Sequence, residues 1–216
     1  MKLYMHPASP NVRAVLLTAE LIDLPLERQT VDAMAGEQLT PAYLKVNPNG
    51  LFPVLVDGEF VLWETIPIMQ YLASKSVGST LWPNDDRHRA DICRWQCWSQ
   101  AHWFPALRTY IFENMFKKLK GLGEPDPAAI KSGEETFHQF ANVLDGQLKA
   151  REYLTGPRLT LADLSVSVWL MYASAARIPL EPFVNIRRWF ESIQNLPAWQ
   201  RTMPPISYNA LENTTA

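Results

Sequence analysis

The chain has 216 residues, 47% hydrophobic and 19% charged, which is enough apolar matter for one or two sizeable cores and excludes a disordered chain. Its net charge of −2 provides no electrostatic footprint for nucleic acid, which excludes that class of partner. No apolar run approaches the roughly 18 residues of a membrane helix, and the opening Met-Lys-Leu-Tyr-Met-His-Pro7 breaks too early for a signal peptide, so the expected compartment is the cytoplasm.

In chain order, residues 2–5 read as a short strand and 10–24 as a helix with apolar side chains at Val12, Val15, Leu16, Ala19 and Leu21 or Ile22. Residues 26–31 form a second strand after Pro25. Residues 39–46 read as a helix with Thr40 as N-cap and Pro41 as first helical residue. A turn at Asn47-Pro-Asn-Gly50 leads to a short apolar strand entered through Pro53, which has no N–H to give a ladder. Asp57-Gly58 predicts a two-residue hairpin turn, with Phe60 to Trp63 as the returning strand. A helix opening at Glu64-Thr65 runs to about Ser74, and its unpaired first-turn N–H groups favour a small anion.

Residues 76–86 have linker composition, and everything after them reads helical. A long segment, 87–119, carries Ile92, Trp95, Trp98, Trp103, Leu107, Tyr110 and Phe116, with Pro105 expected to kink it. Helices are expected at 128–151, with Phe137, Phe140, Val143, Leu144 and Leu148 in phase, and at 161–176, 182–195 and 197–203. The tail, 207–216, is expected to be loosely held. Thr160-Leu-Ala-Asp163 has the [ST]-x-x-[DE] form of a capping box.

The β-α-β, α, β-β-α order, with the segment 47–56, Asp57-Gly58 and Glu64-Thr65, resembles the glutathione-binding half of a soluble glutathione transferase. Leu154-Thr-Gly-Pro-Arg-Leu-Thr-Leu-Ala-Asp163 resembles the box that opens the buried central helix of that family's helical domain. The resemblance implies an α/β thioredoxin-like domain with a mixed four-stranded sheet at 1–77, a linker at 78–87, and an all-α domain at 88–216. It further implies a cis Phe52–Pro53 bond, a Phe52 backbone paired with the cysteinyl unit of glutathione, and Glu64 and Thr65 at the γ-glutamyl end. Glutathione would be co-substrate, with no cofactor, a small hydrophobic electrophile as acceptor, and a homodimer as the assembly.

Two cysteines, Cys93 and Cys97, stand i, i+4 on a predicted helix. They form neither a C-x-x-C motif nor part of a zinc set, so no metal is expected, and they read as small buried core residues. Residues 1–92 hold no cysteine, which removes thioredoxin, glutaredoxin and the cysteine-type transferases.

Conjugation requires the glutathione thiolate, because the thiol is a poor nucleophile. A hydroxyl or amide donor at a helix N-terminus stabilises it. Tyr4-Met-His-Pro-Ala-Ser-Pro-Asn-Val-Arg13 resembles this loop of the serine-type classes, theta and phi, in which Ser9 aligns with the activating serine. It also resembles the bacterial nu-like class, in which Asn11 aligns with the working asparagine. Ser followed by Pro is equally a preferred N-cap and first helical residue. If Ser9 accepts from its own helix, Asn11 becomes the better donor. Tyr4 and Arg13 read as structural, and His6 as a loop histidine.

Some positions depart from the family pattern. Leu51 stands where the serine-type classes carry a Lys or Gln for the glycine carboxylate of glutathione, and in Gly36-Glu-Gln-Leu39 only Gln38 is polar in the matching place. Loss of a charged hydrogen bond costs on the order of 1.5–3 kcal/mol, so weak glutathione affinity is expected. Trp103, Leu107 and Tyr110, at i, i+4, i+7, are the candidates for lining the acceptor site. A glutathione-dependent disulfide reductase, suggested by Pro10-Asn11, and a non-catalytic transferase-like module, suggested by Leu39 and Leu51, stay open as alternatives.

Overall fold

The structure is a computed structural model and describes residues 1–204; the expected loose tail lies outside the described residues. Two compact units are present, residues 1–89 with a segment from Leu196, and residues 90–195.

In the first unit, β1 (Lys2–Met5), β2 (Glu27–Thr30), β3 (Val54–Asp57) and β4 (Phe60–Trp63) form one sheet in the order β2-β1-β3-β4. β1 and β2 are parallel across helix α1 (Pro10–Leu21), and β3 is antiparallel to β1 and β4, which is the mixed four-stranded, thioredoxin-like sheet expected. The hairpin differs by one residue from the expectation. Asp57 pairs with Phe60, so the two-residue turn is Gly58-Glu59. Gly58, at φ 63°, supplies the positive φ that the first position of such a turn demands. Asp57 accepts instead from the Tyr71 hydroxyl at 2.7 Å and pairs with Lys75 at 3.2 Å.

The single helix expected at 39–46 is two pieces, a 3₁₀ turn at Glu37–Leu39 and helix α2 (Pro41–Leu44). Thr40 between them is extended (φ −70°, ψ 150°), because a residue before proline is pushed out of the helical region. Its hydroxyl accepts from Tyr43 N at 3.3 Å, as an N-cap should. Helix α3 (Thr65–Ser74) follows β4 and packs against α1.

The second unit is helical. Helices α4 (Asp86–Trp98), α5 (Phe104–Ile111) and α6 (Lys117–Lys120) form one run broken by two wide π-turns, Ser99–Trp103 and Phe112–Phe116. The first π-turn replaces the expected kink. A helical proline drives its ring toward the carbonyl four residues back, here Ala101, and a wider turn makes room for it. Helix α7 (Pro127–Leu148) is followed by α8 (Leu161–Ser167), which tightens to a 3₁₀ helix at Val168–Tyr172, so the α-helix expected to reach 176 ends early. A buried polar chain ties the 3₁₀ stretch and α8 to the first run. Trp169 Nε1 donates to Ser99 Oγ at 3.1 Å, Ser99 Oγ to Ser165 O at 2.8 Å, and Gln96 Nε2 to Ser165 Oγ at 3.1 Å. Helix α9 (Val184–Gln194) is capped from outside its own chain segment. Asp145 of α7 accepts from Asn185 N at 2.9 Å and Ile186 N at 3.1 Å, placing its carboxyl at the positive end of the helix.

Cys93 is half-buried and Cys97 exposed, which corrects their assignment to the core. Ile92, Trp95 and Gln96 take the buried face of α4, and the cysteines are out of phase with it.

Glu113 sits in the second π-turn, 6% exposed. A hydrogen bond from Asp126 N at 2.7 Å and the Lys117 ammonium at 2.6 Å hold its carboxyl below the usual range. A carboxyl whose folded pKa is depressed stabilises the fold above its unfolded pKa of about 4.3, and that contribution fades as pH falls through the folded value. Thermal melts between about pH 3 and 6 are therefore expected to be shallower in pH for Glu113→Gln than for the parent; identical slopes would remove Glu113 from the acid limb.

Helix α10 (Pro197–Arg201) belongs to the first unit. Arg13 of α1, 1% exposed, donates from Nη2 to Trp199 O at 2.9 Å and lies 3.7 Å over the Trp199 ring. That is the supporting role expected of it, as a tether from α1 to the segment that returns after α9.

Candidate functional site

Sheet register decides where the candidate residues meet. Met5, at the end of β1, lies opposite Thr30 at the end of β2. Tyr4 lies opposite Val54, at the start of β3, and Val54 opposite Trp63, at the end of β4. The segments flanking these positions, 6–9, 31–40, 51–53 and 64–65, therefore gather at one end of the sheet. Ser9, Gln38, Leu51, Phe52, Pro53, Glu64 and Thr65 belong to these segments or begin the helix that follows, and Asn11 stands in the first turn of α1.

Ser9 is the N-cap of α1, with φ −81° and ψ 125°, and its hydroxyl accepts from Val12 N at 3.4 Å. That bond is long, and accepting it uses a lone pair and not the O–H, so the hydroxyl proton is still available to a second acceptor. The capping therefore does not by itself move the donor role to Asn11. Ser9 N donates to His6 O at 3.1 Å, and the His6 ring stacks on Phe52 at 5.4 Å with 22° between the planes. The β1–α1 loop is thus packed directly on the residue before Pro53.

The Phe52–Pro53 bond is cis. The Leu51 side chain is 60% exposed, while its carbonyl is pinned by Tyr43 Oη at 2.8 Å and Asn47 Nδ2 at 2.7 Å. Burial pushes the Tyr43 hydroxyl up to about 12, so it stays a donor at neutral pH. Asn47 also folds its own turn, accepting at Oδ1 from Asn49 N at 3.0 Å. Gly50 closes the turn at φ 63°, and a Cβ there would sit 3.2 Å from Gln38 O and 3.0 Å from Leu39 Cδ2, so glycine lets the loops holding Gln38 and Leu51 touch. Gln38 is half-buried, with an amide oxygen that has no hydrogen-bond partner among the described residues.

Glu64 precedes α3 with φ 74° and ψ 131°, a backbone that costs a non-glycine residue on the order of 1–3 kcal/mol and concentrates at ligand clamps. Thr65, 6% exposed, opens α3, whose first-turn N–H groups face the same end of the sheet as Pro53.

Tyr43, Asn47 and His6 had no assigned role in this site from the sequence. Asn47 carried a usable signal, an Asn opening Asn-Pro-Asn-Gly, since such side chains bond the backbone two residues on. Asn47→Ala is expected to leave Leu51 O with one donor and loosen the 51–53 loop. The cost is about 1 kcal/mol or more, read as a lower melting temperature and faster amide exchange in the 51–53 loop with little change at the rest of the fold. Unchanged exchange in this loop would remove Asn47 from its support.

The aromatic stripe belongs to the helical unit. Trp103 and Leu107 are fully buried and Tyr110 is 3% exposed. Trp103 stacks on Trp98 and Phe137, and Tyr110 meets Phe137 edge-on, all within the helical unit. These three side chains pack inside the helical unit, since a helical stripe packs against whatever faces it, here Phe137 of α7.

Among the described residues no group of three or more His, Cys, Asp or Glu side chains is placed to hold a metal, and no helix is long and apolar enough to cross a membrane.

Comparison with known proteins identifies both units. Residues 1–74 match the family profile "Glutathione S-transferase, N-terminal domain" and residues 127–192 match "Glutathione S-transferase, C-terminal domain". Glutathione S-transferase 3 of Zea mays is 33% identical over 215 residues, covering 95% of this chain and 94% of the relative. Glutathione S-transferase D6 of Drosophila melanogaster is 29% identical over 208 residues, covering 95% and 93%. Among solved structures, glutathione transferase F7 from Populus trichocarpa superposes with a TM-score of 0.83 at 28% identity, over 93% of this chain and 96% of its own. With both family profiles matched in order and a relative one-third identical over nearly its full length, the chain belongs to the glutathione S-transferase family.

Proposed function

We propose that this chain, as a glutathione transferase, binds glutathione across the gathered end of the sheet and activates its thiol with Ser9, assisted by Asn11, for attack on a small hydrophobic electrophile. The observation that carries the reading is the convergence of four segments at that end, with a strained Glu64 opening α3 beside the Phe52–Pro53 loop. In this pose the backbone of Phe52 pairs with the cysteinyl unit. Glu64, Thr65 and the first N–H groups of α3 take the γ-glutamyl carboxylate, which the positive end of the helix favours. Gln38 meets the glycine end. The half-buried hydroxyl of Ser9, capping α1 only through a 3.4 Å bond, donates to the sulfur. This places the chain among the serine- or asparagine-type classes, theta- or phi-like or nu-like.

The same reading assigns residues 1–77 to the glutathione-binding domain, 78–87 to a linker and 88–216 to the helical domain, in a cytoplasmic homodimer. Exposed Phe60, Val61 and Trp63 on the edge strand β4 support a second copy, because an open apolar edge invites pairing. A sedimentation mass equal to one chain at micromolar concentration would end the dimer assignment.

Glutathione binding is the deciding test. Millimolar glutathione is expected to raise the melting temperature by mass action, and no shift would sink the assignment of the sheet end. Because Leu51 is exposed and its side chain packs against little, Leu51→Gln is tolerated by the fold and adds a donor toward the glycine carboxylate. About tenfold tighter binding by calorimetry is expected, as a hydrogen bond to a charged group implies; equal affinity would place the carboxylate elsewhere.

A further inference from the structure

Cys93 and Cys97 face one side of α4, one helical turn apart. Their sulfurs are 4.0 Å apart, with Cys97 exposed and Cys93 half-buried. That spacing discriminates between two chemistries. A disulfide needs about 2.05 Å between sulfurs and Cα atoms about 4.4–6.8 Å apart. Four helical residues rise about 6 Å, which lies within that range, so it is the sulfur separation, about twice a disulfide's, that must close. Two sulfurs bonded to one centre at about 2.3 Å each stand about 3.8 Å apart when that centre is tetrahedral and about 3.3 Å apart when it is pyramidal. The two thiols hydrogen-bond at 4.0 Å, and bridging by a single atom would draw the sulfurs together by less than about 1 Å, against about 2 Å for a disulfide.

No third His, Cys, Asp or Glu completes a metal set here among the described residues, so a four-ligand zinc site does not fit. The centre must be soft, since two thiolates select thiophilic elements, and must bring its remaining substituent with it. We propose that Cys93 and Cys97 form a dithiol clamp for a monosubstituted trivalent arsenical. The exchange balances without any redox change. An R–As(OH)₂ centre loses two As–O bonds and gains two As–S bonds, and the two thiol protons leave with the hydroxides as two waters.

Burial, with the Cys93 thiol beside it, pushes the Cys97 thiol up. The pair is therefore a slow partner in thiolate-driven disulfide exchange through Cys97. Chelation remains open to it, because both protons depart in the product water. The clamp rests on α4 alone.

The full chain, reduced and titrated with phenylarsine oxide, tests this. Expected are one arsenic per chain by native mass spectrometry, loss of both titratable thiols, and release by 2,3-dimercaptopropanol. Cys93→Ser and Cys97→Ser are each expected to weaken binding by about 100-fold, because the second As–S bond is no longer intramolecular. Glutathione conjugation by both variants should match the parent, which shows that they fold. Arsenic held as tightly by either single variant as by the parent would overturn the clamp, as would one arsenic per two chains.

Discussion

Asp163→Ala is expected to lower the melting temperature by roughly 10 °C or more, which follows from what its carboxyl holds together. Oδ1 accepts from Leu154 N at 2.8 Å and Trp189 Nε1 at 3.0 Å; Oδ2 accepts from Thr160 N at 2.9 Å and Thr160 Oγ1 at 3.0 Å. The group is fully buried. Burial pushes its carboxyl above the usual range, and these four hydrogen bonds offset only part of that. The Thr160–Asp163 part is the capping box read in the sequence. The bonds to Leu154 and Trp189 make it a junction of the loop before α8, the start of α8 and helix α9. Truncation to alanine leaves the Leu154, Thr160 and Trp189 N–H donors buried without an acceptor, each at about 1–3 kcal/mol, while the Thr160 hydroxyl keeps its partner Thr155 Oγ1 at 3.1 Å. With part of that recovered by relaxation, about 3–5 kcal/mol is lost. For a chain of this size, each kcal/mol is worth about 2–4 °C. Asp163→Asn is expected to fall between parent and alanine, because its oxygen keeps two donors while its N–H₂ confronts the other two. Trp189→Phe, which removes one donor and leaves the carboxyl three, should cost about 1 kcal/mol. An alanine variant melting within 2 °C of the parent would mean the junction is not what holds these segments.

The parts of this molecule that were legible in the sequence are those whose chemistry is local. Pro53 can only enter a strand, Thr160 and Asp163 satisfy each other within one helical turn, and Thr40-Pro41 carries its own cap. Even there the sequence was one residue out at the hairpin, since Asp-Gly and Gly-Glu both offer a glycine and only strand pairing picks the frame. What was not legible depends on partners brought from afar. Tyr43 and Asn47 act on the carbonyl of Leu51, and no pattern announces which carbonyl a hydroxyl will find. Asp145 caps a helix forty residues on. Periodicity showed that Trp103, Leu107 and Tyr110 share a face but not that Phe137 covers it. The cysteines failed for the converse reason: residue type argued for burial, and the phase of α4, set by Ile92, Trp95 and Gln96, turned them outward.

Ser9→Ala is expected to cut conjugation by about tenfold or more and to raise the apparent pKa of bound glutathione by about one unit. Each unit is worth about 1.4 kcal/mol of thiolate stabilisation, the scale of a tenfold rate change. The substitution also deletes the N-cap of α1. That cap is a single 3.4 Å hydrogen bond, so the stability loss should sit at the low end, about 0.5 kcal/mol. The two effects separate cleanly: the rate and the thiol titration report the sulfur contact, and the melting temperature reports the cap. Asn11→Ala, in the first turn of α1, should be milder in rate if the hydroxyl is the main donor. Measurement requires the ultraviolet absorbance of the bound thiolate against pH, with single-turnover conjugation of an aryl electrophile for parent and both variants. If Asn11→Ala proves the more damaging and Ser9→Ala chiefly lowers the melting temperature, the amide is the donor and the chain falls with the asparagine-dependent class. Should neither variant move the titration or the rate, the β1–α1 loop is not where the thiol is activated. The stacking of His6 on Phe52 would then be packing alone.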